Sequence, residues 1–142
     1  MTIAKVIAGR GEVWSVHADA QVSDAVDMLA RHRIGALPVE DGSAAVAGIF
    51  SERDMIRCLH KHGDAALHMK VRDMMTAPVI TVAPQTSVME ALALMTQRRF
   101  RHLPVVEGGR MVGFVSIGDL VKHRLDKIEA EADAMRVYIQ QA

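Results

Sequence analysis

Apolar residues recur along this chain at helical spacing in two places. Val22, Val26 and Leu29 fall three or four apart, and so do Val88, Leu92 and Met95. That spacing puts each set on one face of a helix, predicted over about residues 22–32 and 88–98. Ser87 and Glu90 form a capping box for the second of these helices, while the first has Gln21 at that place and caps less well. Short β-branched runs precede both helices, Val13-Trp14-Ser15-Val16 and Val79-Ile80-Thr81-Val82, and are predicted strands. After each helix comes a strand through Leu37-Pro38-Val39 or Leu103-Pro104-Val105, then a turn, then a return strand over residues 46–50 or 111–115. The turns, Glu40-Asp41-Gly42-Ser43 and Glu107-Gly108-Gly109-Arg110, carry hairpin chemistry. Each proline removes a ladder donor, so these strands are expected at edges or to begin there. A second helix is predicted to start near Ser51 and near Ser116.

The two halves are one pattern written twice. At an offset of 66, Val22 lies over Val88, Ala25 over Ala91, Arg33 over Arg99, and Leu37-Pro38-Val39 over Leu103-Pro104-Val105. One residue drops out at the turn, and at an offset of 65 Gly48 lies over Gly113, Ser51 over Ser116 and Asp54 over Asp119. Internal repetition of this kind marks a duplicated structural unit. The expected fold class is α/β, or α+β: two units, each strand-helix-strand-strand-helix, packed as a pseudo-twofold pair. Each unit of about 60 residues is small for independent stability, so the pair is expected to pack sheet to sheet and share a core. The expected boundaries are 1–66 for the first repeat with its lead-in, 67–126 for the second, and 127–142 for a helical extension. Lys70-Val71-Arg72-Asp73-Met74-Met75 reads as the lead-in of the second unit, mirroring residues 2–7, and Gly63-Asp64-Ala65-Ala66 as the linker. In the last helix, Val121, Leu125, Ile128, Ala132, Met135 and Ile139 alternate four and three. That is the seam of a helix packing on another helix: its own domain or, as the reading favoured here, a second copy.

Composition narrows the classes of function. In 142 residues, 17 basic side chains balance 17 acidic ones, so no basic field exists for nucleic-acid or membrane-surface binding. No run approaches the roughly 20 apolar residues of a membrane helix. One cysteine, Cys58, allows no internal disulfide and suits a reducing compartment. A cytoplasmic protein is expected. Ten methionines against five aromatic residues read as gap-fillers of the core, with an adaptable partner surface as the other reading. Cys58, His60, His62 and His68 lie close in sequence, but alternate residues of a helix face different ways, so solvated histidines are expected rather than a metal site. No nucleophile–base pair and no phosphate-cradling glycine loop followed by lysine occurs, so no catalytic residue is assigned.

The shared motif is Gly48-Ile49-Phe50-Ser51-Glu52-Arg53-Asp54 and Gly113-Phe114-Val115-Ser116-Ile117-Gly118-Asp119. Ser followed three residues on by Asp is a capping box, and one copy alone says no more than that a helix begins. The same corner can hold a ligand. A helix N-terminus offers free N–H groups to an anion, an ionised Asp is acceptor-only and suits a vicinal diol, and a glycine permits close backbone approach.

Two copies of this corner, in order with two Leu-Pro-Val strands, resemble the cystathionine-β-synthase (CBS) domain pair, also called a Bateman module, over roughly residues 5–125. The resemblance implies a regulatory module with two clefts that hold AMP, ADP, ATP, NAD(H) or S-adenosylmethionine. It implies that Asp54 and Asp119 bind ribose hydroxyls and that Ser51 and Ser116 contact ribose or phosphate. Backbone and apolar atoms of Val16, Leu37, Val82 and Leu103 would line the adenine slots, with Thr81, Pro84 and Pro104 beside them. Arg101 and His102 stand where family members place phosphate-binding bases, whereas the first repeat has Gly35-Ala36 there, with Arg53 as its own source of charge. The partners implied are an adenine nucleotide, a second copy in a homodimer, and a regulated protein. The alternative is an interaction module that controls a redox protein or enzyme without obligatory ligand.

Overall fold

The structure, a computed structural model, describes residues 1–141. Its elements run α1 (Ile3–Ile7), β1 (Val16–His17), α2 (Val22–His32), β2 (Ala36–Glu40), β3 (Gly48–Ser51), α3 (Glu52–His62), α4 (Val71–Met74), α5 (Val88–Arg98), β4 (His102–Glu107), β5 (Arg110–Ser116) and α6 (Ile117–Gln141). The duplicated order follows the expectation, and α2 and α5 begin and end where the apolar spacing put them. Residues 63–66, expected as a linker, belong instead to an ordered 3-10 turn, Gly63–His68, with Ala66 buried.

The leading strands are shorter than their sequence suggests, and the prolines explain why. β2 is the middle strand of a three-stranded sheet, parallel to β1 and antiparallel to β3. β4 lies between β5 and a single parallel bridge at Val82. β2 is therefore central, contrary to the edge expectation, while β4 is an edge but for that one bridge. In the second unit the Val82 N–H donates to the Pro104 carbonyl (3.0 Å) and the Val106 N–H to the Val82 carbonyl (2.8 Å). The next rung toward the N-terminus would need a Pro104 N–H, which proline lacks, so the ladder stops at Val82. The register of Val16 on Val39 puts Pro38 in the same place and ends β1 at Val16.

Two cores form, not the single shared core expected. The first gathers Val22, Leu29, Leu37, Val39 and Phe50 with Val71. The second gathers Val88, Met95, Leu103, Val105 and Val115 with Ile3 and Val6. Val71 lies in the lead-in of the second repeat, and Ile3 and Val6 in that of the first. The lead-ins are exchanged: each precedes one repeat in sequence and completes the core of the other. Matching hydrogen bonds hold them. Val22 N–H donates to the Met69 carbonyl (2.8 Å) and Val71 N–H to that of Ala20 (2.9 Å). Likewise Val88 N–H donates to the Met1 carbonyl (3.1 Å) and Ile3 N–H to that of Thr86 (2.8 Å).

The motif glycines serve this exchange. A Cβ on Gly48 would lie 2.6 Å from Met75 Sδ and 2.9 Å from the Thr76 carbonyl oxygen, and one on Gly113 would lie 2.9 Å from Ile7. The close approach expected of a ligand is made by the exchanged chain instead, because β3 also pairs with Thr76 through Ile49 (3.0 and 2.8 Å). Gly48→Ala should therefore cost about 1–3 kcal/mol by overpacking. Urea denaturation checks it, and an unchanged midpoint would mean the connector shifts freely.

Candidate functional site

Each corner is built by a strand running into a helix. Ser51 caps α3, accepting from the Asp54 N–H (3.3 Å), while Asp54 Oδ2 accepts from the Ser51 N–H (2.8 Å). Ser116 and Asp119 repeat this at 3.0 and 2.9 Å. These are full capping boxes, and each opens on a cavity of ligand size, about 550 Å³ at the first corner and about 570 Å³ at the second.

The first cleft brings together Ser51, Arg53, Asp54, Arg101 and His102. Sequence placed Arg101 with its own repeat, and its carbonyl does accept from the Ile117 N–H at that corner (2.8 Å), but Arg101 lines the cleft of the other corner. Arg53 and Arg101, read as alternative sources of charge, therefore share one cleft. The second cleft holds Ser116, Asp119 and, again, His102. His102 and Gly35 line both, so the partition between the clefts is the pair of strand entries at which the two repeats differ most. The His102 ring stacks on Phe114, with centroids 5.4 Å apart.

The residues expected at the adenine slots turn their side chains away from both clefts. Val16, Leu37, Val82 and Leu103 are buried in the two cores and line neither cleft. Pro104 is buried too, its carbonyl taken by Val82, and Thr81 is exposed outside both linings. The Pro84 carbonyl accepts from the Ala4 N–H (2.8 Å), tying down α1 rather than a ligand. Strand alternation sends these side chains to the core face. The apolar walls come from their neighbours, Ile49 and Ile80 in the first cleft and Trp14 and Phe114 in the second.

The two aspartates differ sharply. Asp54 is 1% exposed. Both its oxygens are engaged: Oδ2 by the Ser51 N–H and hydroxyl (2.8 and 3.0 Å), Oδ1 by the Thr76 hydroxyl (2.8 Å) and by Arg57. Asp119 is 34% exposed, and Arg10, from the connector after α1, meets its Oδ2 at 3.2 Å. Partial burial works against ionisation of Asp119, but the Ser116 N–H and the Arg10 guanidinium outweigh it and hold the carboxyl below the usual range.

Sequence reasoning passed over Arg10, Trp14, Arg33, Arg57 and Arg99, all of which line a cleft. Two of these carried a signal. Arg33 and Arg99 align between the repeats, and both end their helices in the left-handed region at φ 54° and 57°, a place that favours glycine. Arg57 carried another, since it stands three residues after Asp54 on one helix and pairs with it; Arg10 carried none, because its neighbour is set by the exchange.

Burial pushes the His102 imidazole below its ordinary pKa of 6.5; Asp119 and Glu52 pull it partly back, and Arg101 lowers it further. The unfolded chain then binds this proton more readily than the fold does. His102 thus contributes stability that is present above about pH 6.5 and is lost as pH falls through the lower folded value. His102→Phe, which keeps a ring against Phe114, should flatten that acid-side loss. Denaturation midpoints of both proteins between pH 7 and 5 measure it, and parallel profiles would refute it.

Comparisons with known proteins agree with this architecture. The CBS domain model matches residues 7–61 and 71–126. The mitochondrial CBS domain-containing protein CBSX3 of Arabidopsis thaliana is 38% identical over 149 residues, spanning 98% of this chain and 72% of that protein. The crystal structure of a CBS-domain containing protein from Agrobacterium tumefaciens superposes with a TM-score of 0.81 at 36% identity, covering 87% of this chain and 92% of its own. CBSX2, solved in complex with AMP, superposes at 0.75 with 27% identity, covering 88% of this chain and 96% of its own.

Proposed function

This chain belongs to the CBS domain family, as a pair of such domains forming a regulatory module, and from that premise we propose that it senses an adenine nucleotide in its clefts. The observation that carries the reading is the pairing of each capped corner with a cavity of ligand size. At each corner a helix N-terminus, a serine and an aspartate meet arginine side chains on one wall, which is the donor and acceptor set of a ribose phosphate. The AMP held by CBSX2 supports the choice of AMP, ADP, ATP or NAD(H), with S-adenosylmethionine as a further candidate. The role is binding rather than catalysis: ligand orders the clefts, and the change passes to a regulated protein or to the module's own assembly. A reducing cytoplasm fits the single, buried Cys58. Among the described residues no helix is long and apolar enough to cross a membrane.

One observation favours a second reading. Asp54 is already satisfied by Ser51, Thr76 and Arg57, so the motif aspartate of the first cleft is not free to accept from a ribose diol. An interaction module with only one working cleft, or none, is the form that reading takes.

Self-association belongs to the proposal. Leu125, Ile128, Met135 and Ile139 of α6 are all exposed, in the four-and-three spacing of a helix seam. Leu125→Glu with Ile128→Glu should turn a dimer into a monomer in light scattering, leaving the melting temperature of the rest intact. A wild-type chain that is monomeric at tens of micromolar would end the dimer proposal.

AMP, ATP, NADH and S-adenosylmethionine are the ligands to screen by thermal unfolding. A nucleotide at about 100 times its Kd should add roughly 2.7 kcal/mol to the native state, a rise of several degrees. No shift with any of the four at millimolar concentration would leave the ligand-free module as the answer. Asp119→Ala should weaken binding in the second cleft by about 1.5–3 kcal/mol, the loss of a charged hydrogen-bonding group. Asp119→Asn, which keeps an acceptor for the Ser116 N–H, separates that loss from loss of the cap.

A further inference from the structure

The two clefts are lined by different chemistry, and the geometry points to a division of labour between them. The first takes a multiply charged phosphate-type anion. The second takes a nucleoside-type ligand without net negative charge, its base stacked on Trp14. This rests on the nucleotide-binding reading above and says which part of such chemistry each cleft accepts.

Charge separates them first. Four arginines, Arg53, Arg57, Arg99 and Arg101, line the first cleft against Glu52 and Asp54, and Asp54 is buried against Arg57. The excess is positive, and a cavity with one sign of charge concentrates the opposite ion. In the second cleft Arg10 and Arg33 stand against Glu12 and Asp119, with Arg10 and Asp119 paired at 3.2 Å. No excess remains there to draw a polyphosphate.

Shape and acceptors separate them next. Trp14 lines the second cleft and is 49% exposed. His32 covers one face of its ring, with centroids 3.9 Å apart and planes 11° from parallel. A tryptophan braced on one face and open on the other is a stacking platform, and every base has a π-face to lay on it. The same cleft holds the aspartate that remains open: Asp119 keeps Oδ1 outside the bonds made by its Oδ2, an acceptor for a sugar hydroxyl. In the first cleft the motif aspartate, Asp54, has both oxygens engaged, and the smaller Phe100 is the only aromatic carbocycle among the lining residues.

Trp14 is the sole tryptophan of the chain, so its fluorescence reports the second cleft alone. Adenosine should change that emission saturably. Inorganic tripolyphosphate should bind by calorimetry and leave the emission unchanged. Trp14→Ala should weaken adenosine on the order of tenfold, the size of a lost base–aromatic stack, with Trp14→Phe intermediate and tripolyphosphate unaffected by either. Arg53→Ala with Arg101→Ala should weaken tripolyphosphate more than tenfold and spare adenosine. Circular dichroism confirms that each variant folds. Adenosine binding that survives Trp14→Ala undiminished, or that is lost with the two arginines, overturns the division. So does tripolyphosphate altering Trp14 emission. If AMP and ATP bind while the two probes fail to separate in these ways, only the division falls; if nothing binds, the nucleotide reading falls with it.

Discussion

The helix that closes each half of the molecule is supplied by the sequence of the other half. Ile3 and Val6 are buried against Val88, Met95 and Leu103, and Val71 against Val22 and Leu37. Fully burying such side chains is worth about 1.5–3 kcal/mol apiece, a large share of the stability of units this small. Neither repeat keeps its own lead-in, so neither core is complete without chain from the other repeat. The glycines at 48 and 113 are part of the same constraint, since side chains there would strike the exchanged segments.

The clefts inherit their differences from this exchange. The connector after α4 brings the Thr76 hydroxyl to Asp54 (2.8 Å), and the connector after α1 brings Arg10 to Asp119 (3.2 Å). Two motifs that read alike in sequence therefore end in unlike states. One carboxylate is closed off by neutral and cationic partners, and the other is partly open and charge-paired. A capping box needs only one carboxylate oxygen, so the local duty of both aspartates is met and the second oxygen is free to be used differently in each half.

His102 occupies the partition between the clefts, touching the lining of both. It is half-buried, stacked on Phe114, and faces carboxylates from α3 and α6 as well as its chain neighbour Arg101. Its counterpart in the first repeat is Ala36, which is buried and offers no polar atom. A single imidazole thus stands where a symmetrical pair would have placed two; because it lines both clefts, the charge contrast between them rests on the arginines instead.

The duplication, the helices α2 and α5, the Leu-Pro-Val strands and the capped corners were legible in the sequence, because each depends on spacing within a few residues. Helical periodicity, a Ser three residues before an Asp and a proline's missing donor act locally, and two copies made each visible twice. What the chain order hid was decided by tertiary structure. A lead-in reads as belonging to the repeat it precedes, and nothing local says it will pack on the other. The resemblance put Val16, Leu37, Val82 and Leu103 at the adenine slots, and apolar side chains beside a corner can face either a core or a cleft. Only the sheet's pleat chooses, and it chose the core. Arg10 and Trp14 reach the clefts through contacts that no spacing rule anticipates. The sequence by itself determined the repeating unit and its corners; the exchange of lead-ins determined which side chains each corner meets, because those contacts join segments 22 and 109 residues apart in the chain.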